Sequence, residues 1–221
     1  MKNCFFKITA LLILAMMLLS SCAKGNKFEM QPNGFVDKKT GVEYVVASWE
    51  YEPITVTDEL YGKYKEFDVE FFCLAGIDPS KLVADHVGTL YHSSSMELPE
   101  LSEMNISHVN IYDEEDKLVS NISDAEFISA LQAIYANGYN AYETIEILNS
   151  DFETNQRFKF ANEELGVYYV LAYTEYTSEF TYKDSEGKEC TGKNVLYNRF
   201  AKKYVVIDDF ISDYFNQEGN N

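Results

Sequence analysis

The stretch Val167–Tyr182 reads VYYVLAYTEYTSEFTY, and it decides the fold class. Aromatic and β-branched residues, which favour extended backbone, make up most of it, and neither proline nor glycine interrupts it. The turn-forming segment Asp184–Lys188 follows, and a second strand-like segment, Cys190–Tyr197, returns. The pattern predicts a long antiparallel hairpin.

Alternating apolar and polar residues predict further strands on both sides of this hairpin. Phe67, Val69, Phe71 and Cys73 alternate with more polar neighbours, which predicts a strand over 65–74 with Cys73 pointing inward. Two more hairpins are predicted where turn residues separate apolar segments, at 35–49 around the turn 37–41 and at 107–122 around the turn 113–116. Single strands are predicted at 142–148, 157–161 and 203–207.

Three helices are predicted from capping residues and apolar spacing. Asp78-Pro79 opens one that ends near Val87, and Asp209 caps another that ends at Phe215. The clearest begins at the capping box Ser123–Glu126, is stapled by Ile122 and Phe127, and ends at Gly138. Its apolar stripe consists of Phe127, Ile128, Leu131, Ile134 and Tyr135.

Helices and strands do not alternate regularly along the chain, which argues against a parallel sheet. We therefore expect an α+β fold, a predominantly antiparallel β-sheet with two or three short helices packed on one face.

The first 22 residues have the order of a bacterial export signal. Lys2 and Lys7 precede the apolar run Ile8–Leu19, which is shorter than the roughly 20 residues that a membrane-spanning helix needs. Leu19-Ser20-Ser21-Cys22 resembles the lipobox of bacterial lipoproteins. The resemblance covers residues 1–22 only, and it implies cleavage between Ser21 and Cys22 with a diacylglyceryl group on the Cys22 thiol. An uncleaved membrane helix and ordinary secretion are the alternatives, and the bulky Leu19 fits a plain signal-peptidase site badly.

This resemblance implies an extracytoplasmic protein anchored to the bacterial cell membrane by the lipid on Cys22. We expect a signal at 1–21, a lipidated polar tether at 22–33, a single domain at 34–215 and a polar tail at 216–221.

Acidic residues outnumber basic residues by 36 to 18, which gives a formal net charge of −18. Such a surface repels phosphate backbones, so nucleic acid is not expected as a partner. No metal or other cofactor is expected either. His86, His92 and His108 do not have the spacing of metal ligands, and Asp113–Asp116 lacks the glycine and the spaced ligands of a calcium loop.

Two cysteines, Cys73 and Cys190, remain in the mature region beyond Cys22. Outside the cytoplasm they can form a disulfide, and the alternative is two separate thiols.

Tyrosine is abundant, with 17 residues against a single tryptophan, Trp49. Tyr173, Tyr176 and Tyr182 form a candidate binding face on the long hairpin, and the alternative is cross-strand pairing within the sheet. The sequence favours a non-catalytic domain that binds an envelope protein or polymer. The alternatives are an envelope hydrolase that attacks glycan or peptide through a carboxylate pair, and a structural or inhibitory lipoprotein.

Replacement of Cys22 by alanine is expected to abolish lipid attachment and maturation, because the thiol is the acceptor. Labelling of cells with an alkyne fatty acid measures this directly. Cys4→Ala is the matched control, since Cys4 leaves with the signal, and it should label like the wild type. Full labelling of Cys22→Ala would refute the lipobox assignment.

Overall fold

The computed structural model describes residues 27–137, 139–140, 152–183, 188–198, 203–207 and 211. The strands are β1 (Phe28–Gln31), β2 (Gly34–Asp37), β3 (Glu43–Val46), β4 (Tyr51–Pro53), β5 (Val56–Tyr64), β6 (Val69–Leu74), β7 (Leu82–Asp85), β8 (Leu90–Ser93), β9 (His108–Tyr112), β10 (Leu118–Ile122), β11 (Tyr139–Asn140), β12 (Phe152–Asn162), β13 (Val167–Lys183), β14 (Glu189–Asn198) and β15 (Lys203–Val206). A 3₁₀ turn spans Leu101–Glu103, and the helix α1 spans Ala125–Ala136.

The strands form two antiparallel sheets. The first has the order β1-β2-β3-β8-β7-β6-β5, and the second has the order β10-β9-β12-β13-β14-β15-β11. The three-residue strand β4 pairs with the start of β13, so that Tyr51 lies opposite Tyr169. This pairing ties the chain between the two sheets to the second sheet.

Both faces of the first sheet are buried over β6 to β8. On one face Phe71, Val83 and Tyr91 join a cluster of aromatic rings, in which Phe35 lies 4.1 Å from Phe71 between ring centres. On the other face Leu82 and Leu90 join the main core. Because side chains alternate along a strand, the sheet separates two apolar clusters.

The main core lies between the first sheet, the second sheet and α1. Helix α1 contributes Phe127, Ile128, Leu131 and Tyr135, which are buried against residues of β9, β12 and β13. The helix stripe predicted from the sequence is thus confirmed. The helix begins one residue later than the sequence suggested. Its N-cap is Asp124, whose Oδ1 accepts hydrogen bonds from the N–H groups of Glu126 and Phe127, at 2.8 and 3.0 Å.

The buried carboxylate of Asp37 connects the two edges of the first sheet, β1 and β5. The Tyr61 hydroxyl of β5 donates to Asp37 Oδ2 at 2.7 Å, and the Lys27 ammonium lies 3.5 Å from the same oxygen. Lys27 Nζ also donates to the Tyr61 carbonyl at 2.6 Å and lies 3.6 Å from the centre of its ring. A Cβ at Gly62 would lie 2.5 Å from the Phe28 ring, so glycine permits this close approach of β1 to β5.

The surroundings of Asp37 stabilise the ionised form of its carboxyl group. Burial raises the pKa of its carboxyl, but hydrogen bonds from Tyr61 and the Lys39 N–H, together with the Lys27 charge, outweigh burial and hold that pKa below its ordinary value. We call Lys27, Asp37, Tyr44 and Tyr61 the edge network. Tyr44 belongs to it because its hydroxyl lies 2.9 Å from that of Tyr61.

The predicted antiparallel β-structure is confirmed, including the hairpins of β2 with β3, β9 with β10 and β13 with β14. The expectation of two or three helices overstated the helical content. The helix predicted from Asp78 to Val87 is wrong, because Leu82–Asp85 forms β7 between β6 and β8. Asp78 caps only a turn, in which its Oδ1 accepts from the Ser80 N–H at 2.9 Å.

Within the predicted tether 22–33, Phe28–Gln31 forms β1. The predicted strand 142–148 and, except for the buried helical residue Ile211, the predicted helix 209–215 lie outside the described residues. Among the residues that the structure describes, no helix has both the length and the apolar character to cross a bilayer.

Removal of the Tyr61 hydroxyl is expected to destabilise the fold, because a buried charged acceptor loses a donor. Tyr61→Phe should lower the free energy of unfolding by about 1.5–3 kcal/mol in urea titrations. Tyr64→Phe is the matched control, since it removes a similar bond at 2.6 Å to the exposed carboxylate of Glu66. The control should lose less than about 1 kcal/mol. Equal losses in the two variants would contradict a special role for the edge network.

The pH dependence of stability should report the lowered pKa of Asp37. A lowered folded-state pKa gives stability that is present above the unfolded value of about 3.9 and is lost as pH falls through the folded value. Asp37→Asn should therefore be less stable than the wild type at neutral pH, and the difference should shrink as the pH falls below about 4. A difference that is constant with pH, measured by urea unfolding, would contradict the assignment.

Candidate functional site

A half-open groove of about 490 Å³ lies where β4 passes the turn between β7 and β8. One wall is formed by residues 47–49 and 51–53, and the other by residues 87–90. We call it the Trp49 groove. Its volume lies within the range of about 300–1,000 Å³ that is typical of ligand sites.

The first wall is held in place by backbone bonds and one buried tyrosine. The Ala47 N–H donates to the Leu90 carbonyl at 2.9 Å, and the Tyr51 N–H donates back to the Ser48 carbonyl at 3.0 Å. The Tyr51 ring packs edge-on against Tyr169 at 5.2 Å, and its hydroxyl donates to the Pro99 carbonyl at 2.9 Å. Trp49 therefore lies in a tight turn whose two ends are fixed.

The second wall is a turn organised by the Asp85 carboxylate. Its Oδ1 accepts from the N–H groups of Val87 and Thr89, at 3.0 and 2.9 Å. Gly88 has a φ of +87°, a left-handed conformation that a residue with a side chain rarely adopts. These constraints keep the Val87 side chain exposed to solvent.

Two apolar side chains are presented to solvent at the groove. Trp49 is 65% exposed and Val87 is 73% exposed. A single exposed apolar residue is ordinary on a protein surface. Two of them on opposite walls of one groove, each on a constrained turn, give the groove a preformed apolar surface.

One end of the groove is polar. Glu52 is the acidic residue of the lining, and its Oε2 accepts a hydrogen bond of 2.5 Å from Lys159 Nζ. The ammonium also lies 5.1 Å from the centre of the Tyr112 ring and 5.8 Å from that of Tyr168. The carboxylate at the groove is therefore neutralised by a cation that two aromatic rings support.

A hydrogen-bond chain begins at Tyr168, whose ring lies near Lys159, and extends across the second sheet. The Asn110 amide donates to the Tyr168 hydroxyl at 3.2 Å, and the Asn121 amide donates to Asn110 Oδ1 at 2.6 Å. Burial raises the pKa of the Tyr168 hydroxyl, although the Asn110 bond opposes this, so the hydroxyl remains protonated at neutral pH. We call Glu52, Lys159, Tyr168, Asn110 and Asn121 the Lys159 network.

Buried tyrosines also lie beneath the groove wall. Burial raises the pKa of Tyr135 to about 12 and moves that of Tyr169 in the same direction. The Tyr169 hydroxyl accepts from the Asn198 amide at 3.0 Å. Both phenols stay neutral near pH 7, and the Tyr169 hydroxyl serves as a hydrogen-bond acceptor.

The candidate binding face predicted from the sequence does not exist as a surface. Tyr173 is 6% exposed and packs against Phe158 in the main core, and Tyr176 is 4% exposed on the other face of the second sheet. Tyr182 is half-buried, with its ring 6.1 Å from Phe180. Tyr173 and Tyr176 are therefore buried within the packed sheets, as in the alternative of pairing within the sheet, rather than presented on a surface.

The possible disulfide between Cys73 and Cys190 is not formed in the structure. Cys73 is a buried residue of β6 in the first sheet, whereas Cys190 lies in β14 of the second sheet, and no disulfide links these two described residues.

The histidines are bound into local structure at separate places. His92 Nδ1 lies 3.1 Å from the Ser93 carbonyl and 3.0 Å from the Met96 carbonyl, while the Ser93 hydroxyl bonds to Ser95. His108 lies on β9 beside Ser107.

The acidic segment Asp113–Asp116 forms a hairpin turn. Asp113 Oδ1 accepts hydrogen bonds from the N–H groups of Glu115 and Lys117. In the described part of the chain, no group of three or more His, Cys, Asp or Glu side chains is arranged to hold a metal ion.

Comparison with known proteins adds no relative. No protein-family model matches the sequence, and searches of curated proteins and of solved structures found no similar protein. The geometry of the chain itself is therefore the basis for a functional proposal.

Sequence reasoning missed the Trp49 groove. A signal for one wall is present in Asp85-His86-Val87-Gly88-Thr89, since Asp followed by Gly is typical of a turn that presents the residues between them. The same glycine also fits the end of a helix, which the sequence predicts from Asp78 to near Val87. Nothing in the local sequence shows that β4 passes beside this turn.

Replacement of Tyr173 by serine is expected to destabilise the domain, because it leaves a large cavity in the main core. The expected loss is about 3–5 kcal/mol in the free energy of unfolding. Tyr182→Ser, on the same strand but half-buried, should lose much less. Urea unfolding followed by circular dichroism makes the comparison, and a stable, fully folded Tyr173→Ser variant would contradict the burial of this ring.

Proposed function

We propose that this protein is a membrane-anchored extracytoplasmic lipoprotein whose domain binds a partner in the cell envelope without catalysis, and that the Trp49 groove is the binding surface. The observation that carries the proposal is the pair of exposed apolar side chains, Trp49 and Val87, on two rigid turns that face one groove.

Rigidity supports binding at this groove. Turns fixed by Asp85, Gly88 and Tyr51 keep their shape, so little conformational entropy is lost when a ligand binds. Tryptophan is enriched among the residues that dominate binding energy, because its ring offers a large contact area with few rotatable bonds.

The charge of the protein supports selectivity. With a net charge of −18, the protein repels anionic polymers at a distance. Among the described residues that line the groove, Glu52 is the one acid, and Lys159 pairs with it. The local surface thus accepts a ligand without net negative charge.

The arrangement at the groove differs from that of a two-carboxylate hydrolase. Such an enzyme needs two acids that face one bound substrate, with separations of about 5–9.5 Å. Glu52 is the acid of the groove lining, and it is committed to Lys159. The groove geometry therefore favours binding over hydrolysis.

Truncation of Trp49 should weaken capture of the partner without unfolding the domain. In a crosslinking pull-down from the native envelope with the full-length lipidated protein, Trp49→Ala is expected to recover at least about tenfold less of the wild-type partner. The far-ultraviolet circular dichroism and the urea midpoint should stay near wild-type values.

Phe67→Ala is the matched control for this experiment. Phe67 is another exposed aromatic residue, at 70%, but it lies in the turn between β5 and β6, away from the groove lining. Its variant should capture the partner normally. Normal capture by Trp49→Ala would refute the groove as the binding surface, and equal losses in both variants would point to a nonspecific effect of removing surface aromatics.

A further inference from the structure

We infer that the Trp49 groove recognises an uncharged saccharide, with one sugar ring stacked on the Trp49 indole and its hydroxyl groups bonded to Glu52, whose carboxylate Lys159 holds in place. This inference rests on the proposed function and names the ligand class of the same site.

The groove combines two kinds of surface that a sugar ring matches. A pyranose ring has apolar C–H groups on its faces and hydroxyl groups around its edge. The exposed indole of Trp49 offers a flat apolar surface for the C–H groups. Glu52 lines the groove and offers carboxylate lone pairs that sugar hydroxyl groups can donate to, while the bond from Lys159 to Oε2 keeps the carboxylate in place.

The polar end is held rigidly, as selective hydrogen bonding requires. Lys159 is fixed between Glu52 and the rings of Tyr112 and Tyr168. Tyr168 is fixed in turn by Asn110. An unsolvated hydroxyl that reaches this ion pair makes charge-assisted bonds, which are stronger than bonds between neutral groups.

Other classes of ligand fit the groove less well. An extended peptide that adds a strand to β4 would need N–H groups along the strand edge, and Pro53 has none. An anionic polymer is repelled by the net charge of −18. A lipid chain needs an enclosed apolar channel, whereas this groove is half-open and includes Ser48, Glu52 and Thr89.

The single tryptophan makes the test direct, because all indole fluorescence of the protein comes from Trp49. The full mature chain is titrated with uncharged trisaccharides built from glucose (α- and β-linked), mannose and N-acetylglucosamine, with an oligolysine peptide and inorganic phosphate as comparison probes. At least one trisaccharide should change the Trp49 emission in a saturable way, with a dissociation constant between about 10 µM and 1 mM. The constant should hardly change between low and high salt, because the ligand carries no charge.

Two variants test the role of the ion pair. Glu52→Gln should weaken binding of the same trisaccharide at least about fivefold, because the neutral amide loses the charge-assisted bonds. Glu175→Gln is the matched control, since Glu175 also pairs with a lysine, Lys193, at 3.1 Å, but does not line the groove. The control should bind like the wild type.

The outcomes separate this inference from the proposed function. If no trisaccharide changes the emission while Trp49→Ala still loses the envelope partner, the saccharide inference is overturned and the binding function stands. Salt-sensitive binding of oligolysine alone would replace the saccharide by a cationic protein segment. If Trp49→Ala captures its partner normally, the proposed function itself fails.

Discussion

The pairing of β4 with β13 is the constraint on which the rest of the structure depends. β4 has three residues, too few to be stable alone, and Tyr51 anchors it by packing against Tyr169 of the neighbouring strand. The same side chain reaches the Pro99 carbonyl, so one residue links β4, β13 and the segment before β9. With β4 fixed in this way, Trp49 is brought beside the turn at Val87, and the groove exists.

Two features of the first sheet make it a rigid support for the turn at Val87. The sheet buries both of its faces over β6 to β8, so a shift in register would place apolar side chains on the wrong side. The edge network around Asp37 connects β1 to β5, which lie at the two ends of the strand order. A carboxylate in this place holds the edges together because its charge is met by a lysine, a tyrosine hydroxyl and a backbone N–H.

The charge of the groove differs from the charge of the protein as a whole. The protein is strongly acidic as a whole, yet the one carboxylate in the groove lining is paired with Lys159. An unpaired acid beside an exposed tryptophan would favour cations. The paired acid leaves a site in which shape and hydrogen bonding decide what binds.

The sequence alone predicted most of the strands, because their determinants are local. Alternation in 69–74, the turn residues 113–116 and the uninterrupted aromatic run 167–182 each specify extended backbone within a few residues. The stripe on α1 was equally clear. The segment 82–85 was misread because its four residues are all buried, and a run that is apolar on both sides looks the same in a helix and in a central strand.

The sites were beyond the reach of local patterns. Tyr173 and Tyr176 have residue types that suit a binding face, but which face of a strand is covered depends on what packs against it, and the core covers both. Trp49, Val87, Glu52 and Lys159 are distant in sequence and meet through the β4–β13 pairing and the Asp85 turn. The sequence by itself determined strand-forming segments, charge and the lipobox-like signal, since each of these is a property of neighbouring residues. Only the tertiary structure decided which aromatic residues are buried and which one is exposed at the groove, because burial depends on contacts between segments far apart in the chain.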